Sequence, residues 1–212
     1  LEFYSMAPKK LIIIIALALT PFLAYSEEWA FDAILNDKVI GQHTFQVGST
    51  KTLSKTNFHI KFLFMDIYYQ HRSEEAWSKG CLQSIKSSTN DDGERFEVEG
   101  KIEGGHLSLV SNSIPNKLTG CVMTFAYWDK NILKQKHLLN SQNGEYLEID
   151  IKPLAKETIE VRGKSTPTQR YELKATKDGI ERLTIQLWYD KNLNWVALQS
   201  PTPIGDIFYK LL

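Results

Sequence analysis

RFEVEGKIE, residues 95–103, alternates strictly: Arg95, Glu97, Glu99, Lys101 and Glu103 are charged, while Phe96, Val98, Gly100 and Ile102 are apolar or small. Successive side chains of a strand point to opposite faces, so this stretch reads as a strand with one wet face and one covered face. The same period recurs outward in both directions. Phe58, Ile60, Phe62 and Phe64 stand against His59 and Lys61; Tyr171, Leu173 and Ala175 against Arg170, Glu172 and Lys174; Leu183, Ile185, Leu187 and Tyr189 against Arg182, Thr184 and Gln186. Half-buried strands of this kind belong to antiparallel sheets. Between them lie residues that tolerate positive φ or cap a turn, as in Asn36-Asp37-Lys38, Asn90-Asp91-Asp92-Gly93, Gly104-Gly105, Asn143-Gly144, Lys177-Asp178-Gly179 and Asp190-Lys191-Asn192, so successive strands are hairpin partners. The one helical candidate is Asp129 to Leu139, with Asp129 as N-cap and Ile132, Leu133, Lys136 and Leu139 on one face. Ten or more strands with a consistently apolar face tend to curl. The expected fold is mainly β: a single antiparallel sheet curled into a barrel or half-barrel, with one short helix near 129–139.

The first residues speak to compartment. Lys9-Lys10 precedes the apolar run Leu11 to Leu19, a Pro21 break and Ala24-Tyr25-Ser26, which is the pattern of a cleaved export signal over residues 1–26 with Met6 as its start. A membrane anchor is the alternative, but the apolar run falls short of the roughly 20 residues that a span requires. No cysteine follows the cleavage site, so a lipid-anchored form is not expected. The sequence therefore predicts an exported, periplasmic protein with one β-rich domain over 27–212. Removing Glu2, Lys9 and Lys10 from totals of 25 basic and 25 acidic residues leaves 23 and 24, a net charge near −1. Nucleic acid is then a poor partner.

Cysteine chemistry is confined to Cys81 and Cys121, each preceded by glycine. In an oxidising compartment an even pair is most simply a disulfide. The competing reading makes Cys121 a nucleophile with His137 as its base, sixteen residues on, within GCVMTFAYWDKNILKQKHLLN, residues 120–140. We favour the disulfide, and read 121–139 as a buried strand followed by a short helix that serves as lid or plug. Glu97, Glu99 and Glu103 share a solvated face with Arg95 and Lys101 and do not read as paired catalytic acids. No spacing matches a metal site or a phosphate-cradling loop, so neither metal nor cofactor is expected.

Several stretches together resemble a known family: Trp29-Ala30-Phe31-Asp32 with Ile40-Gly41-Gln42-His43, Phe58-His59-Ile60-Lys61-Phe62-Leu63, Gly80-Cys81-Leu82, residues 120–129, Leu138-Leu139-Asn140 with Gly144-Glu145-Tyr146, Leu187-Trp188-Tyr189, and the closing Tyr209-Lys210-Leu211-Leu212. They are similar to bacterial exported proteins grouped as domain of unknown function 6134. The resemblance spans nearly all of the mature chain and brings no activity with it. The tail is also similar to envelope β-proteins whose curved sheets include lipid carriers, which implies fold and not function.

The functional expectation is a periplasmic barrel or half-barrel that binds an apolar ligand, such as a lipid or acyl chain, between its concave aromatic face and the 121–139 segment, with peripheral membrane contact compatible with that role. Phe58, Phe62, Phe64, Phe96, Tyr127, Trp128 and Trp188 are the expected lining. A solid-cored envelope interaction protein is the second reading, and an envelope hydrolase or lyase acting through Tyr127, Asp129 or His137 the third.

Overall fold

The computed structural model describes residues 26–62 and 64–212, without the side chains of Phe62 and Met65. The expected export signal lies, but for Ser26, outside the described residues.

Fourteen strands form one antiparallel sheet. The first meander runs β1 (Glu27–Leu35), β2 (Lys38–Val47), β3 (Lys51–Phe62), β4 (Met65–Ser78), β5 (Cys81–Asp91), β6 (Glu94–Glu103), β7 (His106–Ser111) and β8 (Ile114–Thr119). A crossover, residues 120–136, then leads to β9 (His137–Leu139), β10 (Tyr146–Val161), β11 (Lys164–Lys177), β12 (Ile180–Asp190), β13 (Trp195–Thr202) and β14 (Gly205–Leu211). The two meanders join at the centre of the sheet, where β1 pairs with β14 from Phe31 opposite Leu211 to Leu35 opposite Ile207. Strand order is therefore β8 to β1 in reverse, then β14 back to β9.

Two-residue turns with both residues at positive φ make most of the hairpins, as at Asn36-Asp37, Asp92-Gly93, Gly104-Gly105 and Asp178-Gly179. That geometry matches the right-handed twist of the flanking strands. Arg162-Gly163 and Asn112-Ser113 do the same without a strong sequence signal. Register shifts at Ala33/Ile34, Ala76/Trp77, Ala175/Thr176 and Trp188/Tyr189 mark bulges, which bend and twist the strands they interrupt. Gly41 permits a close approach: at φ +153° a Cβ there would lie 1.9 Å from the Asn57 carbonyl oxygen on β3.

The sheet curls but does not close. Its β9 end passes inside the concave face of β5 to β8, so that Val122 and Leu139 pack among Leu82, Ile85, Val98, Leu107, Leu109 and Leu118. Three hydroxyls hold the loop that follows β9: Ser87 donates to the Ser141 carbonyl (2.5 Å), Thr89 to that of Gln142 (2.8 Å) and Ser111 to that of Asn143 (2.6 Å). The free edge at β8 carries Pro115 and Lys117, residues that discourage pairing with another chain.

The crossover is less helical than the sequence predicts. Only Lys130–Lys134 forms a helix, of 3-10 type, capped as expected by Asp129, whose carboxylate accepts from the Asn131 N–H at 2.9 Å. His137–Leu139 is a strand instead, because its backbone finds partners in β10 and in Met123, whose carbonyl accepts from the Leu139 N–H at 2.8 Å. Residues 121–125 are irregular, touching β9 through one bridge between Thr124 and Leu139. The segment is a plug: Met123, Ala126, Ile132 and Leu138 sit in the main core with Phe31, Leu173, Leu187, Tyr189 and Trp195.

Candidate functional site

The inner faces of β3, β4 and β5 are not uniformly apolar. Strand parity places Thr52, Ser54 and Thr56 inside ahead of Phe58 and Ile60, and His71, Ser73 and Glu75 inside after Tyr69. All six polar side chains are buried. Buried polar groups need partners, and Ser54, His71, Ser73 and Glu75 find them within the protein. Glu75 accepts from the Ser73 hydroxyl (3.1 Å) at one oxygen and from the Thr124 hydroxyl (3.2 Å) at the other. His71 Nδ1 lies 2.9 Å from the Thr89 oxygen, whose only proton goes to the Gln142 carbonyl. Nδ1 must then carry the hydrogen, which leaves Nε2 facing Ser141 Oγ at 3.4 Å as acceptor. His43 Nε2 meets Ser54 Oγ at 2.8 Å and its Nδ1 the Tyr209 hydroxyl at 3.4 Å.

His43, Ser54, Thr56, His71, Glu75 and Thr124 border a cavity of about 600 Å³, within the range of small-molecule sites. A continuous belt of rings lines one wall. Tyr69 stacks on Phe58 (5.7 Å between centroids), Phe58 meets Tyr209 edge-on (6.1 Å), Tyr209 meets His43 (5.7 Å), His43 stacks on Phe45 (4.0 Å), and Phe45 tilts against Trp128 (5.1 Å). Thr124, Phe125, Tyr127 and Trp128, all from the crossover, also line it. Trp128 lines in addition a second cavity of about 400 Å³ with Trp77, Met123 and Asp129, and so partitions the two.

Burial sets the electrostatics. It pushes Glu75 up to about 7 and His71 down to about 4, and lowers His43 well below its ordinary value with help from neighbouring His71. The phenols of Tyr69, Tyr127 and Tyr209 are raised by the same cause and stay neutral. A raised carboxyl gives stability that is full below its ordinary 4.5 and lost as pH rises through about 7. For His71 the sign reverses, with stability lost as pH falls from 6.5 through about 4. Ionised Glu75 thus costs the fold about 3 kcal/mol.

Of the side chains expected to line the site, Phe58, Tyr127 and Trp128 meet at the cavity. Phe96 is half-buried on β6 and does not border it. Phe64 is fully exposed at the β3–β4 turn, because the hairpin tip has no facing strand there. Trp188 is buried on the opposite face of β12 with Val196, Ala197 and Phe208, its indole N–H donating to Glu157 at 2.9 Å. The Phe62 side chain lies outside those described. Tyr127, Asp129 and His137 border three different recesses and form no common cleft. Cys81 and Cys121 are disulfide-bonded, with Cα atoms 5.0 Å apart. Among the described residues no helix is long and apolar enough to cross a membrane.

Sequence reasoning missed His43, His71, Glu75, Tyr69 and Tyr209. Tyr69 and His71 alternate with exposed neighbours on β4, whereas His43, Glu75 and Tyr209 each have a half-buried one. What hid them is that a polar inner face has the same period as a wet outer one.

A solved β-barrel-like protein of domain of unknown function DUF1849 from Brucella abortus is similar to this chain, with TM-score 0.64 and 12% identity over 88% of this chain and 95% of that one, a likeness of fold. A DUF1329 family protein from Desulfovibrio piger aligns over 89% of this chain and 83% of its own at 9% identity, but its TM-score of 0.19 carries no argument. No curated protein matches the chain. The family model described as domain of unknown function, DUF6134, matches residues 31–212, and on that match the chain, with its open curled sheet and internal plug, belongs to the DUF6134 family.

Proposed function

We propose that this protein is an exported carrier that holds a small apolar or amphipathic molecule between the aromatic belt and the plug. One observation carries the reading: a recess of about 600 Å³ lies between the ring belt and the plug, bordered by buried polar side chains. A recess of this size, lined by rings with a few converging polar groups, is the usual form of a small-molecule site. The disulfide fits an oxidising compartment, in keeping with the export signal expected from the sequence.

Native mass spectrometry of protein purified gently from its own envelope, with extraction of lipids and other small molecules, tests this. A bound species of defined mass is expected. A clean apo mass, together with failure of any apolar dye to bind the cavity, sinks the carrier reading. Trp128→Ala removes a side chain that lines both cavities and ends the ring belt. It should weaken dye binding about tenfold while the transition to the unfolded state shifts by less, since Trp128 is only half-buried. Loss of folding with unchanged affinity would assign the indole to the plug alone.

A further inference from the structure

We propose that the molecule held here carries a cationic nitrogen, seated against the Glu75 carboxylate and the faces of the surrounding rings; this rests on the carrier reading and specifies the chemistry of its ligand.

Glu75 is 6% exposed, and its oxygens receive only two hydroxyl hydrogens. Four lone-pair sites are available on a carboxylate, so acceptor capacity is left over. The titratable and charged groups facing the cavity are few. They are His43 from β2, Tyr69 and His71 from β4, Asp91 at the end of β5, Tyr127 from the plug, Glu145 before β10, Arg182 from β12 and Tyr209 from β14. Among the described lining residues Arg182 is the one fixed cation, and it is half-exposed and paired with Glu145 at 3.5 Å. Glu75 therefore has no counter-charge of its own.

An anionic head group seated at Glu75 is repelled once that carboxyl is ionised, and the one lining cation, Arg182, is already paired with Glu145. A neutral head group can hydrogen-bond to Glu75 but brings it no counter-charge. A cation gains twice, from the carboxylate and from the negative faces of Tyr, Trp and Phe rings, a combination well suited to ammonium groups. Burial also holds His43 and His71 neutral near pH 7, so neither adds a competing positive charge. Because Glu75 titrates near 7, cation entry draws off its proton, and binding is coupled to pH.

The test uses three amphiphiles of equal chain length, dodecyltrimethylammonium, dodecanol and laurate, each below its micelle concentration and displacing the apolar dye N-phenyl-1-naphthylamine. At pH 8 the ammonium should bind at least tenfold more tightly than laurate. Glu75→Gln should remove most of that preference. In the wild-type protein Glu75 ionises as pH rises through about 7, so ammonium affinity should rise severalfold between pH 6 and pH 8. The quaternary nitrogen does not titrate, and this arm needs no variant to fold. Laurate binding as tightly as the ammonium, or a flat pH profile, overturns the inference while dye and dodecanol binding keep the carrier reading. If the dye and all three amphiphiles fail to bind, the carrier reading fails with it.

Discussion

Trp195→Ala should lower unfolding free energy by about 3–5 kcal/mol, the largest loss expected of a single core truncation here. Trp195 is 1% exposed and sits where three parts of the fold converge. Its ring packs on Phe31 of β1 at 4.1 Å, on Phe45 of β2 at 5.5 Å and on Tyr127 of the plug at 5.0 Å, while its indole N–H donates to the Ala197 carbonyl at 2.8 Å. Truncation leaves a cavity among rings that cannot collapse without moving β1, which is itself fixed between β2 and β14. Urea unfolding followed by far-ultraviolet circular dichroism measures the loss. A change under about 1 kcal/mol would mean that this ring cluster does not hold the plug against the sheet.

Cys81→Ser should cost about 4 kcal/mol on the loop-entropy account of a 40-residue ring. The bond joins the start of β5 to the entrance of the plug, and the adjacent Leu82 N–H donates to the Val122 carbonyl at 2.8 Å. Reduction therefore frees the plug at its first residue as well as enlarging the unfolded ensemble. Adding Cys121→Ser should cost nothing further, because either change alone already breaks the bond, and wild-type protein in dithiothreitol should match both variants. Additive losses in the double variant would show that each cysteine contributes through packing rather than through the bond.

The two losses bear on function in different ways. Trp195 supports the floor of the cavity through Tyr127 and Phe45, so its truncation should impair dye binding along with folding. Neither cysteine borders the cavity, so the disulfide should affect binding through stability and through the seating of the plug.

Much of this architecture was legible in the chain. Arg95 to Glu103 alternates because a strand turns its side chains to opposite faces, and Asn36-Asp37, Asp92-Gly93 and Asp178-Gly179 make tight hairpins because these residues adopt positive φ at low cost. Both are local effects, set by sterics within a few residues. Two cysteines in a chain with an export-like start pointed to the disulfide by elimination. The helix over 129–139 went astray at its second half, where the period of Ile132, Leu133, Lys136 and Leu139 lost to pairing of His137–Leu139 with β10.

Tertiary structure alone decided the rest. The pairing of β1 with β14 joins strands nearly the whole chain apart, and no local signal specifies it. The open seam likewise depends on shape: the β9 end slides inside β5 to β8 because Val122 and Leu139 find an apolar face there, so the edges overlap instead of pairing. The polar interior was the least legible feature. Along Lys51 to Ile60 the sequence alternates Lys51, Leu53 and Lys55 with Thr52, Ser54 and Thr56, and the period by itself cannot say which face is inside. Curvature decides it by turning Glu75 and His71 inward, where the loss of water raises one and lowers the other.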